Sequence, residues 1–208
     1  MQEQEKDHWE TVYSTRPVTQ VSWFQEHAGP SLQLIVQAGV SRQASIIDIG
    51  GGTSPLVDDL LDAGYGNVTV LDISRTALET AKARLGRRAA LVRWIEGNML
   101  EAALPAHAFD VWHDRAVFHF LTQPQDRQSY VRAVLHAVKP GGLVIVATFA
   151  EDGPERCSGL PVVRYSAENL HGEFGEPFVL LGHEKEAHRT PAGNVQQFVY
   201  CFCRRTAS

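Results

Sequence analysis

Basic runs are scarce in this 208-residue chain. The longest are "GRR" at 86–88 and "CRR" at 203–205, and the net charge is −5. Holding nucleic acid by its phosphates takes a face dense in Lys and Arg, so no nucleic-acid partner is expected. Long apolar runs are missing too. The longest, Leu143 to Ala150, has the length of a strand, whereas a membrane-spanning helix takes about 20 apolar residues. No membrane partner is expected. The stretch "MQEQEKDHWE" has neither the basic nor the apolar region of a secretory leader, and a cytoplasmic location is the expectation. Cysteine occurs three times, at Cys157, Cys201 and Cys203. An odd, small number argues against a disulfide framework. Cys201 and Cys203 would share one face of a strand, a spacing open to a soft metal. No fourth ligand stands at zinc spacing, so the simpler reading is small apolar residues in a terminal strand, with no metal.

What is present is an alternation of helix and strand signals after Pro30. Helices are read over 30–40, 54–64, the stretch after Ser74, and 124–142. Strands are read at 45–50, 67–74, 90–99, 108–116 and in "LVIVATFA", which is apolar on both faces as a central parallel strand should be. Ser54 and Ser74 stand where helix caps belong, Gly64 where a helix ends, and Pro140-Gly141-Gly142 where the last helix should stop. The segment 151–166 is rich in Gly and Pro and reads as a loop, followed by a short helix in "AENLHGEF". Two strands flanking "PAGN" then make a hairpin. The expected architecture is α/β: a Rossmann-like, seven-stranded, mostly parallel sheet with helices on both faces and a C-terminal antiparallel hairpin. One domain, 1–208, is expected. It divides into an N-terminal cap (1–43), a ligand-binding core (44–150) and a substrate loop with the closing hairpin (151–208).

"IIDIGGGTSP" (46–55) places three glycines after the first strand. A phosphate-binding P-loop is excluded because no Lys follows them. A dinucleotide fingerprint needs a third glycine where Pro55 stands. What remains is acidic-x-Gly-x-Gly: Asp48, Gly50 and Gly52, with Gly51 between. A carboxylate at a strand end repels pyrophosphate but suits an ammonium group. Asp72 ends the second strand, 22 residues after Gly50, where a carboxylate can accept from both ribose hydroxyls. Asn98 and Met99 follow the third strand, placed for an amide to read an adenine edge and an apolar body to cover its face. An adenosine with a cationic amino-acid tail meets all three requirements, and S-adenosylmethionine is such a molecule.

Asp48–Ser54, Asp72, Glu96–Met99, "FDVWHD" and "KPGG" together resemble the ordered motifs of class I S-adenosylmethionine-dependent methyltransferases. The resemblance covers about residues 44 to 150. Ser54 departs from the third Gly common in that family, and Asn98 from the commoner Asp. The resemblance implies that S-adenosylmethionine is the cofactor and S-adenosylhomocysteine the product. It also implies that Asp72 binds ribose, that Ile73 and Met99 flank adenine, and that Gly50–Gly52 line the methionine portion.

The acceptor is less legible. The "DRA…L…P..R..Y" pattern within 113–131 is similar to thiopurine S-methyltransferases and related thiol methyltransferases, which implies Asp114 and Arg115 beside cofactor and substrate. Trp9, Tyr13, Trp23 and Phe24 are candidates for an aromatic lid, and "HW…VY" also resembles small protein-lysine methyltransferases. His119 and Asp114 are candidate proton acceptors. His113 reads more simply as a satisfied histidine at a strand end. Arg156 in the 151–166 loop could close over an anionic substrate. A small-molecule acceptor, with a thiol as one form, is the expected partner. The alternatives are a protein lysine, or a protein that binds the cofactor without catalysis.

Overall fold

The computed structural model describes residues 2–207. Two helices come first, α1 (Gln2–Thr15) and α2 (Gly29–Gln37). Strand and helix then alternate: β1 (Ile46–Ile49), α3 (Leu56–Asp62), β2 (Val68–Asp72), α4 (Arg75–Leu85), β3 (Val92–Glu96), β4 (Phe109–Arg115), α5 (Pro124–Ala137) and β5 (Val138–Phe149). A short hairpin follows, β6 (Arg156–Cys157) and β7 (Leu160–Pro161), then α6 (Ala167–Phe174) and a long hairpin of β8 (Phe178–Arg189) and β9 (Val195–Arg205).

Seven strands form one sheet in the order β3-β2-β1-β4-β5-β9-β8. The first five are parallel, β9 runs antiparallel to β5, and β8 antiparallel to β9. This is the expected Rossmann-like architecture with its closing hairpin. Side chains alternate across each strand, and both faces are apolar because both are covered. Ile47, Ile49, Trp112 and Val146 pack with Tyr130 and Val134 of α5 and Phe174 of α6. Ile46, Val111 and Ile145 pack with Leu34 and Ile35 of α2, Leu56 and Leu60 of α3, and Leu78 of α4. Strand order reverses between β1 and β4, so the carboxyl ends of these strands open a crevice there.

Local signals explain the boundaries. Ser74 caps α4, its Oγ accepting from Ala77 N at 3.1 Å. Gly64, at φ 86°, ends α3. Ser54 Oγ accepts from Leu56 N at 3.2 Å, but α3 begins only after Pro55, whose own backbone is already helical. Two expectations are corrected. Helix α5 stops at Ala137, before the Pro140-Gly141-Gly142 stop, and Val138 is extended and opens β5, paired with Phe109. Pro140 disfavours helical backbone at Lys139, and burial of Val138 in the sheet completes the change. The 151–166 segment is not all loop, since β6 and β7 pair across Ser158 and Gly159, both at positive φ.

Candidate active site

The glycine loop leaves β1 at the crevice. Gly50 and Gly52 adopt φ of 62° and 36°, backbone that glycine reaches without a Cβ clash. A Cβ on Gly51 would lie 2.6 Å from Asp48 Oδ2, and one on Gly52 2.8 Å from Asp72 Oδ2. Only bare backbone lets both carboxylates stand this close to the loop.

Asp48 is buried. Its Oδ1 accepts from His113 Nδ1 at 2.7 Å, while Oδ2 has no partner and is shielded from solvent. A buried carboxylate oxygen without a donor is costly to leave that way, and it fits an ammonium group delivered by a ligand. Asp72 accepts from Ser74 N at 2.8 Å. Burial pushes its carboxyl up to about 7, against the donors Ser74 N–H and Gly52 N–H, with the charges of Asp48 and Glu10 adding to the rise.

A cavity of about 330 Å³ opens beside these groups. Asp72, Ile73, Asn98, Met99, Gly50 and Arg115 all line it, so the expected cofactor residues from three strand ends converge. Asn98 Oδ1 accepts from Leu100 N at 2.9 Å, which leaves its Nδ2 donor for a ligand. Trp9, Tyr13 and Trp23 line the cavity as well. Their rings form a cluster with Phe120, with Trp9 5.2 Å from Phe120 and 5.8 Å from Trp23. Helix α1 is tied down across the top by Lys6 to Glu96 at 2.6 Å. It is tied again by Glu10, which accepts from Arg75 N at 2.6 Å and Thr76 N at 3.2 Å at the start of α4. Phe24 lines a small adjoining recess with Gln25 and Ser54.

Of the expected cofactor residues, Asp48 and Gly52 lie behind the Gly50 wall and do not line the cavity, and Gly51 lines only the small recess. Three further candidates take other positions. Asp114 does not line the cavity. Its carboxylate accepts from Val117 N at 2.9 Å, Phe118 N at 3.1 Å and Tyr130 OH at 2.6 Å, so it holds the turn that follows β4. Burial pushes it up to about 6 despite those donors. His119 is buried behind Phe120, its Nδ1 accepting from Phe149 N at 3.3 Å. Burial, then the Arg115 charge, drives it down to about 3, so it is neutral. Arg156 is exposed and turns back on Gly159 O at 3.1 Å within its own hairpin.

Arg115 is held from behind. It donates to Tyr200 OH at 3.0 Å and to Glu186 at 3.1 Å, over the Phe198 ring at 4.0 Å. Sequence reasoning missed Glu186 and Tyr200, which lie in a hairpin far along the chain and carry no motif. Cys157, in the segment expected to close over the substrate, lines the cavity from the short hairpin, together with Leu160 and Pro161, which sequence reasoning missed. Their signal was the apolar stretch "LPVV" (160–163) after the polar start of the segment. The cysteines are free and buried. Cys157 packs on the α2–α4 side of the sheet, away from Cys201 and Cys203 on the other.

Residues 46–142 match the family described as "Methyltransferase domain". That segment, just under half of the chain, carries a methyltransferase domain of the class I S-adenosylmethionine-dependent type. Among its relatives, the eEF1A lysine and N-terminal methyltransferase of Mus musculus is 27% identical over 111 residues, 52% of this chain and 15% of that protein. The ubiquinone/menaquinone biosynthesis C-methyltransferase UbiE of Ruegeria sp. is 29% identical over 109 residues, 51% of this chain and 42% of that protein. The chain thus spans less than half the length of either. A structure solved in a study of the conversion of a disulfide bond into a thioacetal group during echinomycin biosynthesis has the same fold. It superposes with a TM-score of 0.80 at 19% identity, covering 98% of this chain and 93% of that one. S-adenosylmethionine is the cofactor of such a domain. Asp72 and Asn98 offer at the cavity wall an acceptor suited to its ribose and a donor suited to its adenine, and Asp48 offers a buried acceptor suited to its ammonium behind the Gly50 loop.

Proposed function

We propose that the chain transfers a methyl group from S-adenosylmethionine to a small molecule carrying a soft nucleophile, a thiol first among them. The observation that carries this reading is the wall of the cavity formed by Trp9, Trp23, Phe120, Cys157, Leu160 and Pro161. It is aromatic and apolar, and Arg115 is the only basic residue lining the cavity among the described residues. The imidazole of His119 points elsewhere and is neutral. Of the acidic lining residues, Glu5 is exposed at the mouth, next to Lys6, which reaches over to Glu96 on β3. Asp126 stands beside Glu5, its charge adding to burial in raising the Glu5 carboxyl, and Asp72 accepts from Ser74 N. A nucleophile held against the aromatic wall therefore finds no imidazole or amine base among the described lining residues.

Ordinary acidity then separates acceptor classes. An alkyl thiol, with a pKa near 8.5, is about 3% thiolate at pH 7, whereas a lysine amine near 10.4 is only about 0.04% neutral. Without an imidazole or amine base, the thiol is the better acceptor by about two orders of magnitude in reactive form. The cation of Arg115 also favours an anion over an ammonium, to the extent that Glu186 leaves it uncompensated.

When bound, the sulfonium supplies the methyl group as an electrophile. In this reading Asp48 holds the ammonium, Asp72 the ribose hydroxyls, Asn98 the adenine edge, and Ile73 and Met99 its faces. Gly50–Gly52 let the backbone lie along the methionine portion. Trp9, Tyr13 and Trp23 exclude water and align the acceptor, from which much of the rate can come. Arg115 orients the acceptor from below, with Phe24 beside it.

The test is incubation with methyl-labelled cofactor and fractionated cell extract, followed by a panel of aromatic thiols and amines. Label in small thiol-bearing compounds is the expected result. Label on one protein band would overturn it in favour of a lysine acceptor, a reading that the mouse relative's name supports. Cofactor binding with no label in any fraction would mean a binding protein without catalysis.

A further inference from the structure

One buried histidine has no part in that scheme. His113 and Asp48 are register partners on neighbouring parallel strands, β4 and β1. Both side chains point to the face covered by α2. His113 Nδ1 meets Asp48 Oδ1 at 2.7 Å, and Nε2 meets Ser31 Oγ at 2.8 Å. All three residues are at most 2% exposed. A carboxylate only accepts, so Nδ1 carries the proton. The imidazole is then held at both ends, by a strand neighbour and by a helix. Ser31 Oγ also lies 3.4 Å from Tyr200 OH, which donates to Glu186 and accepts from Arg115.

The consequence lies at Asp48. A carboxylate with two free oxygens can rotate about its last bond and turn either oxygen toward any donor. Here one oxygen is taken by a histidine that cannot itself turn. The other is thereby fixed against Gly51, buried and without a partner. We propose that His113 is a positioning residue that presents the second Asp48 oxygen to the ammonium of the methionine portion, with Ser31 setting the ring. The proposal rests on the reading of Asp48 as the carboxylate at that end of the cofactor.

The proposal makes a selective prediction, because only the amino-acid tail meets Asp48. The test is calorimetric binding of two ligands to the full chain: S-adenosylhomocysteine, which has the ammonium, and 5′-methylthioadenosine, which lacks the whole tail. In His113→Phe the affinity for S-adenosylhomocysteine should fall roughly tenfold, the scale of one well-placed charged hydrogen bond. Affinity for methylthioadenosine should stay within about twofold. Equal losses for both ligands, or no loss for either in a folded variant, would overturn the proposal. If His113→Phe does not fold, Ser31→Ala decides. It should lose roughly threefold for the homocysteine ligand alone, and an unchanged ratio of the two affinities would overturn the proposal. Asp48→Asn separates this from the reading beneath it. If Asp48→Asn does not discriminate between the ligands, Asp48 has been misplaced. If it discriminates and both His113→Phe and Ser31→Ala leave the ratio unchanged, only the positioning role fails.

Discussion

Asp72 is pulled two ways. Burial drives its carboxyl up to about 7, far above the ordinary 3.8, yet ribose hydroxyls donate best to the ionised form. For an acid raised in the folded state, the native protein holds a proton that the unfolded chain has released. Stability from this group is present below pH 4 and is lost as pH rises toward 7. Asp72→Asn should therefore stabilise the ligand-free protein at pH 8 while weakening S-adenosylhomocysteine by roughly 1.5–3 kcal/mol, the range for hydrogen bonds to a charged group. Calorimetry and chemical denaturation on the same sample would check both halves. Unchanged affinity would mean the ribose lies elsewhere. Tyr130 is the second informative residue. Its hydroxyl donates to Asp114 and accepts from Trp112 Nε1 at 2.8 Å. Tyr130→Phe leaves a buried N–H and a buried carboxylate short of a partner, and should cost about 1–3 kcal/mol in urea unfolding. Residues of this kind were only partly legible. Asp48, Asp72 and Asn98 sit at strand ends, where position along the chain implies position in the crevice. The surroundings of Asp114 and His119 depend on which way the chain turns after β4. That turn passes through Ala116 at φ 72°, which composition does not announce.

Helix α1 acts as a unit. It contributes Trp9 and Tyr13 to the cavity and is fastened to α4 chiefly through Glu10, whose carboxylate serves as a cap delivered from another helix. A negative group at a helix N-terminus is stabilising because the first N–H groups lack partners there. Glu10→Ala should cost about 1 kcal/mol by denaturant. It should raise the KM for cofactor several-fold, and hydrogen exchange within residues 3–15 should speed up while β1 and β4 keep their protection. Exchange that speeds equally in the sheet would show that α1 is integral to the core and does not open alone. The aromatic lid was legible as a set of candidates. Which helix end it would be pinned to was not, because the Glu10 pairing spans 65 residues of chain. The short β6–β7 hairpin went unread for a related reason. Two paired residues a side are too few to produce a periodic pattern, and the apolar Leu160 is turned to the cavity.

Across the molecule, the site and the stability are linked through charge. The two most strongly raised carboxyls, Asp72 and Asp114, lie at the carboxyl ends of β2 and β4, on either side of β1 and on opposite faces of the sheet. Each favours the fold less as pH rises through about 6 to 7. In thermal unfolding, the gap between Asp72→Asn and the parent should widen from pH 5 to pH 8. Its upper bound is on the order of a few kcal/mol at the top of that range. Saturating S-adenosylhomocysteine should raise the parent's Tm more at pH 8 than at pH 6, since the ionised carboxylate is the one that binds ribose. A ligand shift independent of pH would contradict that coupling. The order of strands and helices, the closing hairpin and the cofactor motifs were determined by the sequence itself. Hydrophobic period, glycine placement and acidic residues at strand ends are local properties, and a parallel sheet brings all strand ends to one side whatever else the chain does. Only the tertiary structure decided that Asp48 keeps one oxygen free, that His113, Ser31, Tyr200, Glu186 and Arg115 join in one buried chain of hydrogen bonds, and that Cys157 and Leu160 line the cavity. Those contacts join residues from 14 to 169 positions apart, and their direction depends on side-chain packing across the sheet, which no local pattern encodes.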